Sequence, residues 1–159
     1  MSKSIADEIK QTKPFQSPQE EFLLTLMRTS SKLKHYIETS LNFKNISMQQ
    51  YNVLRILNGA KKAIPIMEIS ARLVVPNPGV TRLITKLINQ GYVKRVQSNE
   101  DKRIFYAEIT DEGKSFLSTQ SDRVSAINKS LLNNMSQDQI RDLIDLLNLA
   151  RASVTTEEF

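Results

Sequence analysis

Residues 66–110 read IMEISARLVVPNPGVTRLITKLINQGYVKRVQSNEDKRIFYAEIT, and this stretch decides the fold. Apolar residues at helical spacing predict a short helix over Ile66–Leu73. They also predict a second helix, which Asn77-Pro78 caps and which ends at Gln90-Gly91. Two short helices separated by three or four residues are typical of a helix-turn-helix.

Two β-rich runs follow these helices. The first spans Tyr92–Gln97 and the second Arg103–Ile109, where apolar residues recur at every second position from Phe105 onward. This period is typical of a half-buried strand. The polar residues 98–102 between the runs predict a turn, so the pair forms a hairpin with charged residues near its tip. A helix-turn-helix followed directly by a basic hairpin predicts a winged helix.

The flanking helices begin at well-marked N-caps. Ser17, Ser47 and Ser136 are each followed three residues later by Glu or Gln, the pattern of a capping box, and Thr110 is followed by two acidic residues. The predicted helices run over about 17–41, 47–58, 111–134 and 136–151. The fold class is therefore mainly α with a small β-hairpin wing.

The terminal helices contain more apolar residues than one buried face requires. The first has a core stripe and a second apolar face, and the last is apolar around most of its circumference. A small monomer cannot cover such helices, so we expect a homodimer, although both faces could instead be buried within one subunit. The residues concerned are Leu23, Leu26, Leu33, Ile37 and Leu41 with Phe22, Tyr36 and Phe43, and Ile140, Leu143, Ile144, Leu146, Leu147 and Leu149.

One domain over 17–152 accounts for all of these elements. It places the winged helix-turn-helix at about 47–110 and dimerisation helices at about 17–41 and 111–152. Residues 1–16 and 153–159 are predicted to be tails.

The positive charge is concentrated in the winged segment. The chain of 159 residues has a net charge of +5. The segment 72–103 alone has seven basic and two acidic residues, so the rest of the chain sums to zero. Such a basic patch is typical of a nucleic-acid-binding surface.

Composition excludes several other classes of protein. Cysteine is absent and His35 is the single histidine, so we expect no disulfide, no metal site, no cofactor and no catalytic triad. No apolar stretch approaches the length of a membrane span, and the polar N-terminus is unlike a signal peptide. We therefore expect a cytoplasmic protein that is not an enzyme.

From Glu68 onward the sequence resembles the MarR (multiple antibiotic resistance regulator) family. The resemblance covers roughly residues 17 to 152, and its most specific part is Asp-x-Arg followed by Ile-Thr-x-x-Gly. Val74 departs from it, because related sequences often have glycine there. The matching runs are Glu68-Ile69-Ser70-Ala71-Arg72-Leu73, Val80-Thr81-Arg82-Leu83-Ile84-Thr85-Lys86-Leu87-Ile88, Gly91-Tyr92-Val93-Lys94-Arg95, Asp101-Lys102-Arg103 and Ile109-Thr110-Asp111-Glu112-Gly113.

The resemblance implies a sequence-specific DNA-binding regulator of transcription, a dimeric repressor that a small aromatic or apolar effector releases from a pseudo-palindromic operator. The N-terminal residues of the recognition helix would lie at base edges in the major groove, and Arg103 of the wing would enter the minor groove with Asp101 positioning it. The predicted DNA-binding residues are Asn77, Gly79, Thr81, Arg82, Lys86, Lys94, Arg95, Asp101, Lys102 and Arg103.

The resemblance also implies an effector site between the dimerisation helices and the DNA-binding lobe. The residues predicted for it are Arg28, His35, Tyr36, Met48 and Tyr51, each of which could instead simply pack the core. The alternative function is a winged-helix interaction module that does not bind DNA. The clustered positive charge favours the DNA-binding regulator.

Overall fold

The computed structural model describes residues 3–41, 43, 45–97 and 104–154. The chain divides into two compact units, Met1–Asn42 and Phe43–Phe159. The first contains the short helix α1 (Ile5–Ile9) and the long helix α2 (Pro18–Leu41). Ser17 caps α2 as predicted, because its Oγ accepts a hydrogen bond from the backbone N–H of Glu20 at 3.2 Å. That residues 17–152 work as one functional domain stays a prediction.

The second unit contains the winged motif. Its described elements, in chain order, are α3 (Met48–Ala60), β1 (Ile64–Pro65), α4 (Ile66–Arg72), α5 (Val80–Asn89), β2 (Val93–Gln97), β3 (Phe105–Ile109), α6 (Asp111–Ser130) and α7 (Gln137–Ala152). The mainly helical fold class with a β wing is confirmed.

The sheet is antiparallel, with strand order β1-β3-β2. Val93 pairs with Ile109 and Gln97 with Phe105, so β2 and β3 form the predicted hairpin. β1 pairs Ile64 with Ala107 on the other edge of β3. The sequence did not predict this strand. At two residues, it is too short to show a period.

One core holds the helix-turn-helix and the base of the sheet together. The buried residues come from α3, β1, α4, α5 and both wing strands, and partly buried residues of α6 pack against them. Each of these helices therefore presents one apolar face to a shared centre. The largest fully buried side chains are Leu54, Leu57, Ile64, Ile69, Ile84, Leu87 and Val53.

The junction between the wing and α6 explains the Ile-Thr-x-x-Gly pattern. Thr110 Oγ1 accepts from the backbone N–H of Gly113 at 3.1 Å and donates to the carbonyl of Gly91 at 2.6 Å. Gly91 has a φ of +78°, which favours glycine. A Cβ on Gly113 would lie 2.4 Å from the carbonyl oxygen of Tyr92, so only glycine allows α6 to start this close to the wing.

Two predicted helix boundaries are wrong. Helix α5 begins at Val80 with Gly79 as its N-cap, two residues later than a cap at Asn77 would give. The Asn77 side chain instead bridges the preceding turn. Helix α6 ends at Ser130 and not at Asn134, because the chain turns through Leu132 in the left-handed region at φ +57°. A five-residue helix, α1, also forms within the segment predicted to be a tail.

Candidate nucleic-acid interface

Helix α5 presents a polar face to solvent. Its other face is buried through Val80, Ile84 and Leu87. The exposed residues follow at spacings of one, three and four, so they form a continuous stripe along the helix. Predicted residues Thr81, Arg82 and Lys86 all lie on this stripe. Its full membership is Thr81, Arg82, Thr85, Lys86 and Asn89.

Asn77 supports the turn before this helix. Its Oδ1 accepts from the backbone N–H of Gly79 at 2.7 Å. Its Nδ2 donates to Gln49 Oε1 in α3 at 2.9 Å. Both ends of the amide are therefore engaged within the protein. Asn77 therefore anchors the turn, and the base contact predicted for it stays a prediction.

The C-terminal end of α5 is anchored to the chain segment that also contains Gln49. Gln90, the C-cap of α5, donates from Nε2 to the carbonyl of Asn45 at 2.6 Å. Asn45 and Gln49 flank Ser47, whose capping box starts α3. The segment 45–49 therefore contacts the turn before α5 and the C-cap after it, which fixes the direction of the polar stripe relative to α3.

The two cations of β2 lie on opposite faces of the hairpin. Lys94 forms an ion pair with Glu108, its cross-strand partner, at 3.0 Å. Arg95 instead stacks over the ring of Phe105, with 3.3 Å between the guanidinium carbon and the ring centroid. The three residues predicted at the tip, Asp101, Lys102 and Arg103, lie outside the described residues.

The residues predicted for the effector site fall in both compact units. Arg28, His35 and Tyr36 lie on α2, where Arg28 forms an ion pair with Glu8 at 3.3 Å. Met48 and Tyr51 lie on α3 in the second unit. The effector site that these five residues were predicted to form stays a prediction.

The second unit itself contains a cavity of about 840 Å³ among α3, α6, α7 and the turn before α7. Tyr51 forms part of its wall and stacks on Phe43, with 4.8 Å between ring centroids. Burial raises the pKa of the Tyr51 phenol, so this hydroxyl stays protonated and can donate a hydrogen bond at neutral pH. The cavity lining also includes Arg55, Asn58, Leu117, Val124, Asn128, Lys129, Met135, Gln137 and Ile140.

Three residues of the candidate interface and its support were not predicted from the sequence, namely Thr85, Asn89 and Gln49. The first two follow Thr81 at four-residue intervals, so helical spacing alone would have placed them on the same face. Gln49 gave no such signal, because its partner Asn77 lies 28 positions away.

Neither a metal site nor a membrane span is present in the described part of the chain. No group of three or more potential ligands is close enough to hold a metal ion within those residues. The helices in those ranges are also too short or too polar to cross a membrane.

The second helix of the helix-turn-helix exposes a polar face, and a basic hairpin follows it. These features define the chain as a winged helix-turn-helix protein. Comparisons with known proteins identify the family. The MarR family model matches residues 44–104. A MarR transcription factor of Planctomyces limnophilus is 30% identical, with a TM-score of 0.66 over 86% of this chain and 99% of that protein. The chain therefore belongs to the MarR family of transcriptional regulators.

Two further comparisons concern a named repressor and a protein solved with DNA. The transcriptional repressor YetL of Bacillus subtilis is 30% identical over 112 residues, which are 67% of each chain. A mutant of the E. coli MarR protein, solved in complex with operator DNA, has a TM-score of 0.72 at 23% identity over 79% of this chain and 90% of that one. At that identity the second comparison supports the fold.

Proposed function

We propose that this regulator binds duplex DNA sequence-specifically through the exposed stripe of α5, as a homodimeric, non-catalytic repressor in the cytoplasm. The stripe itself carries the proposal, because its polar side chains project from a helix whose other face is fixed in the core. The proposal is also supported by the similarity of this fold to that of the E. coli protein solved with operator DNA.

The residues of the stripe suit different parts of a DNA site. Arg82 lies in the first turn of α5, where a recognition helix meets base edges, and arginine forms bidentate contacts with guanine. Lys86 lies one turn later and suits a phosphate. Replacing Lys86 with alanine should therefore weaken binding to all sequences alike and lower the salt slope by about 0.9 for each phosphate contact that it removes.

A gel-shift with fragmented genomic DNA tests the proposal. We expect the protein to retain a small set of fragments in the presence of excess unrelated competitor DNA. Retention of no fragment, or of all fragments equally, would favour an interaction module that does not bind DNA specifically.

The homodimer is proposed from apolar surface that the chain leaves uncovered. On α2, Phe22, Leu23 and Met27 are 43%, 56% and 69% exposed. On α7, Leu146 and Leu149 are 63% and 68% exposed. Exposed apolar surface on two long helices is typical of a subunit interface, and a symmetric dimer would match a pseudo-palindromic operator.

Light scattering at micromolar concentration tests the dimer. We expect twice the chain mass of 18.2 kDa. The double change Leu146→Lys and Leu149→Lys should shift the mass to that of one chain, whereas Asn148→Lys on the same helix provides a control for added charge. A wild-type mass of a single chain would contradict the proposal.

Release by a small molecule is proposed from the cavity beside α3. Its wall combines apolar residues such as Leu117 and Val124 with the cations Arg55 and Lys129. This lining suits a small aromatic molecule with polar groups. Since α3 also forms the hydrogen bond to Asn77, a ligand that displaces α3 would move the turn before α5.

Ligand screening by thermal shift, followed by DNA titration, tests this release. We expect compounds that bind the cavity to weaken operator binding, and Arg55→Ala to reduce their effect. An effector can shift binding only as far as it prefers one form of the protein. Binders that never alter DNA affinity would contradict this part of the proposal.

A further inference from the structure

The hairpin carries a stacked arginine–phenylalanine pair. Arg95 lies opposite Ala107 and Phe105 lies opposite Gln97, so Arg95 and Phe105 are diagonal neighbours on one face. The guanidinium carbon lies 3.3 Å from the ring centroid. The small side chain of Ala107 leaves room for the arginine to lean along the strand over the ring.

This pair lies on the face of the sheet that also forms the core. Val93, Ala107 and Ile109 share the face and are buried, whereas Arg95 is exposed. The pair therefore lies on the same face as these buried residues, nearer to the tip of the hairpin. Lys94 projects from the opposite face, where it pairs with Glu108.

The stacking leaves the chemistry of the guanidinium available. A ring over the guanidinium face is attracted to the cation, while the five N–H donors lie in the guanidinium plane. That edge matches two oxygens of a phosphate. A side chain already held in one orientation also loses less conformational freedom when it binds.

We propose that Phe105 is a positioning residue that holds Arg95 as a phosphate clamp on the wing face that the pair shares with Val93 and Ala107. The ligand is the backbone of the duplex whose bases α5 reads, so the inference rests on the proposed function. It also separates the two cations of β2, which the sequence could not distinguish. Arg95 binds DNA, and Lys94 serves the hairpin through Glu108.

The test is a fluorescence-anisotropy titration of a duplex selected by the wild-type protein from a random library, at several salt concentrations. Arg95→Ala should lower affinity and reduce the salt slope by about 0.9 per phosphate contact. Phe105→Leu should weaken binding about 2- to 5-fold per half-site, the loss expected for an exposed cation–π contact. The double variant should bind like Arg95→Ala, because Phe105 acts through the arginine.

Controls separate positioning from folding. Phe105→Tyr keeps the ring and should bind like the wild type, and Arg141→Ala, which removes an exposed cation on α7, should retain the wild-type salt slope. If Phe105→Leu does not fold, Arg95→Lys tests the same point, because it keeps the charge but loses the planar stack. Arg95→Lys should then lose affinity while the salt slope is retained.

Two results would overturn the inference alone. In the first, Phe105→Leu or Arg95→Lys binds like the wild type while Arg82→Ala loses discrimination. In the second, the losses of Phe105→Leu and Arg95→Ala simply add in the double variant. If the wild-type protein selects no duplex at all, the proposed function itself fails.

Discussion

Helices α3 and α7 have similar shares of apolar residues but very different burial. About half of each helix is apolar. α3 buries five of its 13 residues, including Val53 and Leu54 at 0% exposure. All of α7 is described, and none of its residues is buried. Apolar periodicity thus predicts a helix and its apolar face, but it does not reveal whether the surface that covers this face belongs to the same chain.

The same substitution in the two helices should therefore have different effects. Leu54→Ala removes a fully buried side chain and should lower the free energy of unfolding by about 2–5 kcal/mol. Leu146→Ala removes an exposed one and should change it by at most about 0.5 kcal/mol in the isolated chain. Chemical denaturation of both variants at nanomolar and micromolar concentrations measures the difference.

Concentration is the informative variable in that experiment. If a second copy covers α7, Leu146→Ala should lose stability at micromolar concentration, where mass action favours the dimer. Equal, concentration-independent losses for both variants would show that α7 is covered within the chain.

The glycines provide a second, smaller contrast. A Cβ on Gly113 would meet the carbonyl of Tyr92 at 2.4 Å, whereas nothing lies within 4 Å of one on Gly59 in α3. Gly113→Ala should cost about 1–3 kcal/mol, because α6 must move away from the wing. Gly59→Ala should gain up to about 1 kcal/mol through helix propensity. Thermal unfolding compares the two, and a stabilising Gly113→Ala would contradict the close approach.

Helix α1 is a third case, because charge and not burial holds it. It buries no residue, and its Glu8 forms ion pairs with Lys32 at 2.6 Å and Arg28 at 3.3 Å on α2. Hydrogen bonds from Lys32 and Arg28 lower the pKa of the Glu8 carboxyl below its ordinary value of 4.5. A lowered pKa in the folded state means that the contribution is present above pH 4.5 and is lost as the pH falls through the folded value.

The expected effect at α1 is the smallest of the three. The protection factors of residues 5–9 against hydrogen exchange, which are corrected for the pH dependence of intrinsic exchange, should fall at acidic pH, and Glu8→Gln should reproduce this fall at neutral pH. Salt should lower the protection factors too, since the pair is exposed. Protection factors that are unchanged by both pH and the substitution would contradict an ion-paired α1.

Local signals explain most of what the sequence predicted correctly. The capping boxes at Ser47 and Ser136 involve residues three positions apart, so they are visible in the sequence and are present in the structure. The hairpin and the exposed face of α5 follow from short periods as well.

Long-range contacts explain what could not be predicted. Strand β1 exists because Ile64 pairs with Ala107, 43 positions away. Asn77 donates a hydrogen bond to the distant Gln49, which the sequence does not show. The sequence therefore predicted Asn77 to be the cap of α5. The stack of Arg95 on Phe105 follows from the hairpin register, which the sequence suggested but did not specify.

The central claim is that the exposed face of α5 reads DNA sequence, and one titration tests it most directly. Wild type, Arg82→Ala and the control Arg141→Ala are titrated against a duplex selected by the wild type and against its shuffled version. Arg141 is a 75% exposed cation on α7, outside the proposed DNA interface. Arg82→Ala should lose about 1–3 kcal/mol per contact on the selected duplex alone, so the affinity ratio falls, while Arg141→Ala keeps the wild-type ratio. An unchanged ratio for Arg82→Ala would contradict the claim.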